Sequence, residues 1–317
     1  MDFTMLITAF GGGLLAAAIG GVPSFVFTGL TVIAAIFGGE AGVPIVGALS
    51  FGSFFGPHVA FGGAVAGAAY AKSKGLLEDG QDIVTPLFKT GDAGVLVVGG
   101  IFGIIGFVIQ FLLGTVLGGA IGNIGWTDTV ALTVFISDAL VRLIFTKSGL
   151  TGKYTGTEKR AYFPTGKRLS FLIVVGLGIG VVIGGLAATL GQLAIDGSDA
   201  ALYLFQNVGS IGFGIAAVSL AFLCMGLPLE GYHHVILPAG TTAMIVFAAT
   251  ANPFAAIIGG AVMGIITSLW GEWAGMTFNS YADSHIDPPA ATIWVWQLVN
   301  FSILQALVLV PTGIFAA

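Results

Sequence analysis

The chain has 317 residues, with 10 Lys+Arg, 15 Asp+Glu, 51 Gly and a formal net charge of −5. Only 8% of residues are charged and 56% are hydrophobic, against roughly 25% charged in a soluble domain, and the mean hydropathy is +1.02. These values exclude a water-soluble enzyme, a nucleic-acid binder with a basic stripe, and a secreted disulfide scaffold, because Cys224 is the one cysteine.

Charge-free stretches set out the elements in chain order: 3–39, 41–71, 93–127, 169–195, 200–229, 231–271 and 288–317. A further apolar span, 129–145, carries Asp138 and Arg142. One membrane crossing takes about 20 apolar helical residues, so the stretches of 27 and 30 residues fit one tilted helix each. Those of 31, 37 and 41 residues are too long for one crossing and short for two with a turn. Prolines mark where the helices are expected to break: Pro23, Pro44, Pro57, Pro228, Pro238 and Pro253. Each removes a backbone donor and crowds the preceding turn. At membrane depth such breaks are tolerated only inside protein or beside a wet cavity. The expected fold is an all-α polytopic integral membrane protein with 8–10 transmembrane or discontinuous helices.

The start, Met1-Asp2-Phe3, has no basic region, and the apolar stretch after it runs past signal-peptide length. It is expected to remain as a membrane helix. Residues 146–168 carry Lys147, Lys153, Lys159, Arg160, Lys167 and Arg168 against Glu158 alone. The positive-inside rule makes this a cytoplasmic linker loop. It divides a first membrane half, 1–145, from a second, 169–317.

The halves share landmarks in one order. Gly62-Gly63-Ala64-Val65-Ala66-Gly67 matches Gly259-Gly260-Ala261-Val262-Met263-Gly264, preceded by Pro57 and Pro253. Earlier come Phe10-Gly11 with Phe213-Gly214, Pro23 with Pro228, and Pro44 with Pro238. The repeat copies are expected at about 5–113 and 210–312. Loop 72–92 holds three lysines and loop 272–287 none, which places the loops on opposite sides and makes the copies inverted. The parity also turns on whether 24–38 and 115–127 cross the membrane or re-enter it.

Ionisable groups within spans cost about 2.5–3.5 kcal/mol or more, so each asks for a reason. Glu230, His233 and His234 lie between Pro228 and Pro238, distant in sequence from any Lys or Arg, at helical spacing. They read either as a coupling or recognition site or as a solvated turn. His58 follows Pro57, and Asn252 precedes Pro253 as a candidate cap; these two helix starts are expected to line one central cavity. Asp138 and Arg142, at i,i+4, read as an ion pair or a gate. Gly176-Leu177-Gly178-Ile179-Gly180 lacks the flanking strand and acidic partner of a dinucleotide site and reads as a helix–helix contact.

Inverted halves with broken helices point to a channel or secondary transporter with its site near the midplane. The scarcity of buried charge favours a small neutral or singly charged solute. Two alternatives stand beside it. One is an intramembrane metal site or metalloenzyme using Glu230, His233, His234 and His58. The other is a non-catalytic membrane subunit of a larger complex. The leading expectation is a non-enzyme without cofactor, multi-pass in a cell membrane and of prokaryotic plasma-membrane type. It contacts lipid, takes a small molecule or ion, and self-associates through glycine-rich faces.

Overall fold

The computed structural model describes residues 2–116 and 125–309. Among these the regular structure is helical, with no strand. The first group comprises α1 (Phe3–Ile19), α2 (Gly21–Phe37), the short α3 (Val43–Ile45), α4 (Ala60–Ser73), α5 (Ala93–Val116) and α6 (Thr129–Phe145). The second comprises α7 (Gly166–Ile195), α8 (Asp199–Gln206), α9 (Val208–Ser219), the single turn α10 (Ala221–Cys224), α11 (His233–Thr250), α12 (Pro253–Phe278) and α13 (Pro288–Leu309).

Among the described residues four helices are long and apolar enough to cross a membrane: Ala93–Thr115, Gly166–Ile195, His233–Thr250 and Pro253–Phe278. The number rises to six if two bent pairs each count as one span. The first pair, α1 and α2, bends by 119° at Gly20, whose φ of 101° a side chain would resist. The second, α8 running into α9–α10, bends by 62°. Residues 117–124, on which the parity of the first half turns, lie outside the described residues.

The prolines act differently from one another. Pro23 sits in the first turn of α2, where a missing N–H costs nothing. Pro44 lies in α3, and Pro57 in the turn before α4. Pro228 falls in the non-helical link between α10 and α11. Pro238 is inside α11 and does not interrupt it; its carbonyl accepts from Asn300 Nδ2 at 3.1 Å. Pro253 opens α12 behind Asn252, whose Oδ1 accepts from Phe254 N and Ala255 N at 3.0 and 3.1 Å. That cap is the one expected of an Asn-Pro start.

Glycine seams hold each group together. A Cβ on Gly63 of α4 would lie 2.7 Å from Gly99 O of α5 and 2.8 Å from Gly13 Cα of α1. In the second group a Cβ on Gly260 of α12 would lie 2.6 Å from Gly180 O of α7. One on Gly176 would lie 2.5 Å from Gly264 O. Backbones this close exclude any side chain, and dispersion between them replaces side-chain interdigitation. Between the groups, α2 crosses α9 where Gly29 meets Gly214 and Ala217.

Helices α6 and α13 run antiparallel past each other. Thr127, just before α6, donates to Trp294 O well inside α13 at 2.5 Å. Asp138, far along α6, accepts from Asp287 N at the start of α13 at 3.0 Å. Phe135 and Trp294 meet at the crossing with ring centroids 6.5 Å apart.

Candidate functional site

A cavity of about 370 Å3 lies between the two groups of helices. Helix α6 contributes Ala131 and Val134 to its wall, and α13 contributes Ala290 and Ile293. Four phenyl rings face it: Phe25 of α2, Phe51, Phe61 of α4 and Phe213 of α9. Phe25 is at their centre, edge-to-face with Phe61 at 6.1 Å and with Phe213 at 5.4 Å. Aromatic pairs prefer this geometry, and it fixes the rings against one another.

The polar groups in the wall are few. Asp128 caps α6 by accepting from Ala131 N at 2.9 Å. Asp287 caps α13 by accepting from Ala290 N at 2.7 Å, and its other oxygen is 3.3 Å from His285 Nε2. The two carboxylates thus stand at the starts of two antiparallel helices, where unpaired N–H groups favour negative charge. Ser210 of α9 and His233 of α11 also line the wall, the His233 ring 4.8 Å from that of Phe25. His233 is 7% exposed, and its Nδ1 has no hydrogen-bond partner. Among the described residues no Lys or Arg lines the cavity.

The residues expected at the site separate. Of His58, Asn252, Glu230, His233 and His234, His233 alone reaches the cavity wall. His58 is 1% exposed, stacked 6.4 Å from Phe107, with Nδ1 unpartnered. His234 packs against Gly271 and turns from His233 with the rings nearly perpendicular. Asn252 is exposed at its cap. Pro57 lines the cavity and Pro253 does not, so these two helix starts share no vestibule.

Glu230 is not isolated from cations. Arg168 donates to it through Nη1 and Nη2 at 3.0 and 2.8 Å, and to Glu272 through Nε and Nη2 at 3.1 and 2.6 Å. The Glu230 side chain is 69% exposed. Sequence distance hid this clamp, because Arg168 opens α7 and Glu230 precedes α11. The ligand set imagined for a metal is dispersed by the same placement: no group of three or more His, Cys, Asp or Glu among the described residues could hold a metal ion.

Asp138 and Arg142 are both fully buried, yet no direct ion pair joins them. Arg142 donates instead to Ser284 Oγ at 2.7 Å, to Ser284 O at 2.5 Å, to Phe278 O at 2.9 Å and to Leu150 O at 3.1 Å. It ties two loops and the end of α12 together at one end of the bundle. Ser148 donates to Asp283 in the same knot. Burial pushes the Asp283 carboxyl upward, and hydrogen bonds from Ser148 and Thr146 outweigh this and hold it below its ordinary value. Gln81 Nε2, from the loop after α4, joins by donating to Ala282 O at 2.6 Å, so loops 72–92 and 272–287 meet at one end of the bundle and do not take the opposite sides expected from their lysine content.

Asp128, Asp287, His285 and the phenylalanines escaped the reading of the sequence. A signal was present: Asp128-x-x-Ala131-x-Thr133 and Asp287-x-x-Ala290-x-Thr292 share one spacing at the start of a helix.

Fold and site together define an all-helical protein with several apolar helices and an aromatic, acid-capped cavity between its two helix groups. The chain belongs to DUF7973, a family of unknown function, which matches residues 1–161 and 170–317. No curated protein and no solved structure matches it.

Proposed function

We propose that this chain is a multi-pass protein of a cell membrane with two inverted halves. In this reading it is a channel or secondary transporter that moves a small neutral or singly charged solute through the cavity between them. The observation that carries this reading is the position of the cavity, walled by Asp128, Ala131 and Val134 on one side and by Asp287, Ala290 and Ile293 on the other. These triplets sit at equal spacing on antiparallel helices. A two-fold axis through the Phe135–Trp294 crossing would exchange them.

The order of packing supports the repeat. Helix α1 packs on α4 and α5, and α7 packs on α11 and α12. Helix α6 follows and packs on α4 and α5, as α13 packs on α11 and α12. The register differs from that of the double-glycine match, since 62–67 lies in α4 and 259–264 in α12. In the new register His58-Val59 aligns with His234-Val235, and Phe61 with Leu237, both of which line the cavity. The copies then run over 3–145 and 166–309, joined by the basic loop on the cytoplasmic side. Outward-facing Phe171, Val174, Val181 and Val182 of α7 would meet lipid or a second copy.

Accessibility from both sides tests the reading without knowledge of the solute. In a Cys224→Ala background, Ser210→Cys places one thiol in the cavity wall. A membrane-impermeant thiol reagent is applied to right-side-out and to inverted vesicles. Labelling from both faces is expected; labelling from one face only, or from neither, would overturn the transport reading.

A further inference from the structure

Resting on the transport reading, we propose that the cavity recognises a protonated amine carrying a compact apolar body. Its volume of about 370 Å3 falls in the range of small-molecule sites, roughly 300–1,000 Å3. The charged side chains in its wall are Asp128 and Asp287, with His233 and His285 beside them. Backbone N–H groups hold both carboxylates as helix caps, and neither is paired with a Lys or Arg among the described residues. The nearest buried cation behind Asp287, Arg142, is engaged by Ser284 and by the carbonyls of Phe278 and Leu150. Lys72 is likewise held by Glu78 O.

A carboxylate in an apolar chamber requires a counter-charge or a proton. An ammonium supplies the counter-charge together with N–H donors. His233 Nδ1, buried and unpartnered at the wall, accepts one of those donors when the ring carries its proton on Nε2. The faces and edges of Phe25, Phe51, Phe61 and Phe213 surround the remaining space. They provide apolar contact for the body and cation–π attraction for the head. An anion of the same shape meets two carboxylates and no Lys or Arg among the described residues. A neutral solute without a donor leaves the imidazole unsatisfied.

The test is equilibrium dialysis of the purified full chain in detergent against radiolabelled 2-phenylethylammonium, with 2-phenylethanol and 2-phenylacetate as competitors. Saturable binding of the ammonium is expected. It should be roughly tenfold or more tighter than that of the alcohol, the ratio expected of one charge-assisted hydrogen bond, and the carboxylate should not compete. Asp287→Asn and Asp128→Asn keep a capping side chain and should each weaken ammonium binding. Phe25→Leu tests the aromatic wall without touching a cap and should weaken it too. Equal binding of ammonium and alcohol, preference for the carboxylate, or indifference to all three substitutions would overturn the assignment. The two readings fail separately. Two-sided labelling of Ser210→Cys without ammonium binding removes the amine and leaves transport. Ammonium binding with one-sided labelling removes transport and leaves an amine site.

Discussion

The backbone N–H of Asp287 donates to Oδ2 of Asp138 at 3.0 Å, joining the start of α13 to the buried middle of α6. The bond crosses from one helix group to the other at the cavity wall. Asp138 is fully buried and its Oδ1 has no partner, so its one accepted bond matters more than an exposed one would.

Asp138→Ala leaves the Asp287 N–H buried and unpaired, a loss of about 1–3 kcal/mol. Asp138→Asn keeps an oxygen in place to accept the Asp287 N–H, and should stay within ~1 kcal/mol of the parent. Thermal unfolding in detergent, followed by tryptophan fluorescence, separates the two variants. Equal loss in both would mean that this hydrogen bond does not join the groups.

The glycine seam between α7 and α12 makes a second comparison. Gly260 faces Gly180 O so closely that a Cβ would lie 2.6 Å away, whereas a Cβ on Gly178 meets nothing within 4 Å. Gly260→Val should lower stability by about 1–3 kcal/mol through overpacking. Gly178→Val should change it by no more than ~0.5 kcal/mol, as an outward-facing position does. The folded fraction on size-exclusion chromatography reads the difference. Equal tolerance at both sites would dissolve the seam.

The loop knot around Arg142 is acid-sensitive through Asp283. Its carboxyl titrates below its ordinary value in the folded chain. The stabilisation it provides is therefore complete above the ordinary carboxylate pKa of about 3.9 and is lost as pH falls through the lower folded value. Melting temperature in detergent, measured from neutral pH down to about pH 3, should fall at the acid end. Asp283→Asn should flatten that fall while lowering the plateau. An unchanged acid slope in the variant would assign the sensitivity to another group.

Helix class, apolar character and several helix ends were legible in the residues. Asn252-Pro253 announced a capped start because an Asx side chain and a fixed φ serve the same turn. Gly176 and Gly180 announced a contact because a backbone without Cβ is useful only where another backbone comes near. The prolines were less legible. Pro57 reaches the cavity, Pro253 reaches the surface, and Pro238 leaves α11 continuous. A proline specifies a missing donor, and whether the chain bends depends on the packing around it; α11 stays helical through Pro238.

The candidate site was the least legible part. Helices buried in apolar surroundings on every side carry little amphipathic pattern, so their inward faces cannot be read from periodicity. Glu230 looked alone because Arg168 lies in a distant segment, and Asp128 and Asp287 are brought to one chamber only by the packing of α6 on α13. Composition and spacing by themselves determined an apolar, helical, glycine-seamed chain, since those properties depend on each residue and its near neighbours. The tertiary structure alone decided that two helix-capping aspartates, two imidazoles and four phenyl rings share a chamber. Side chains from α2, α4, α6, α9, α11 and α13 meet there only once the helices have packed.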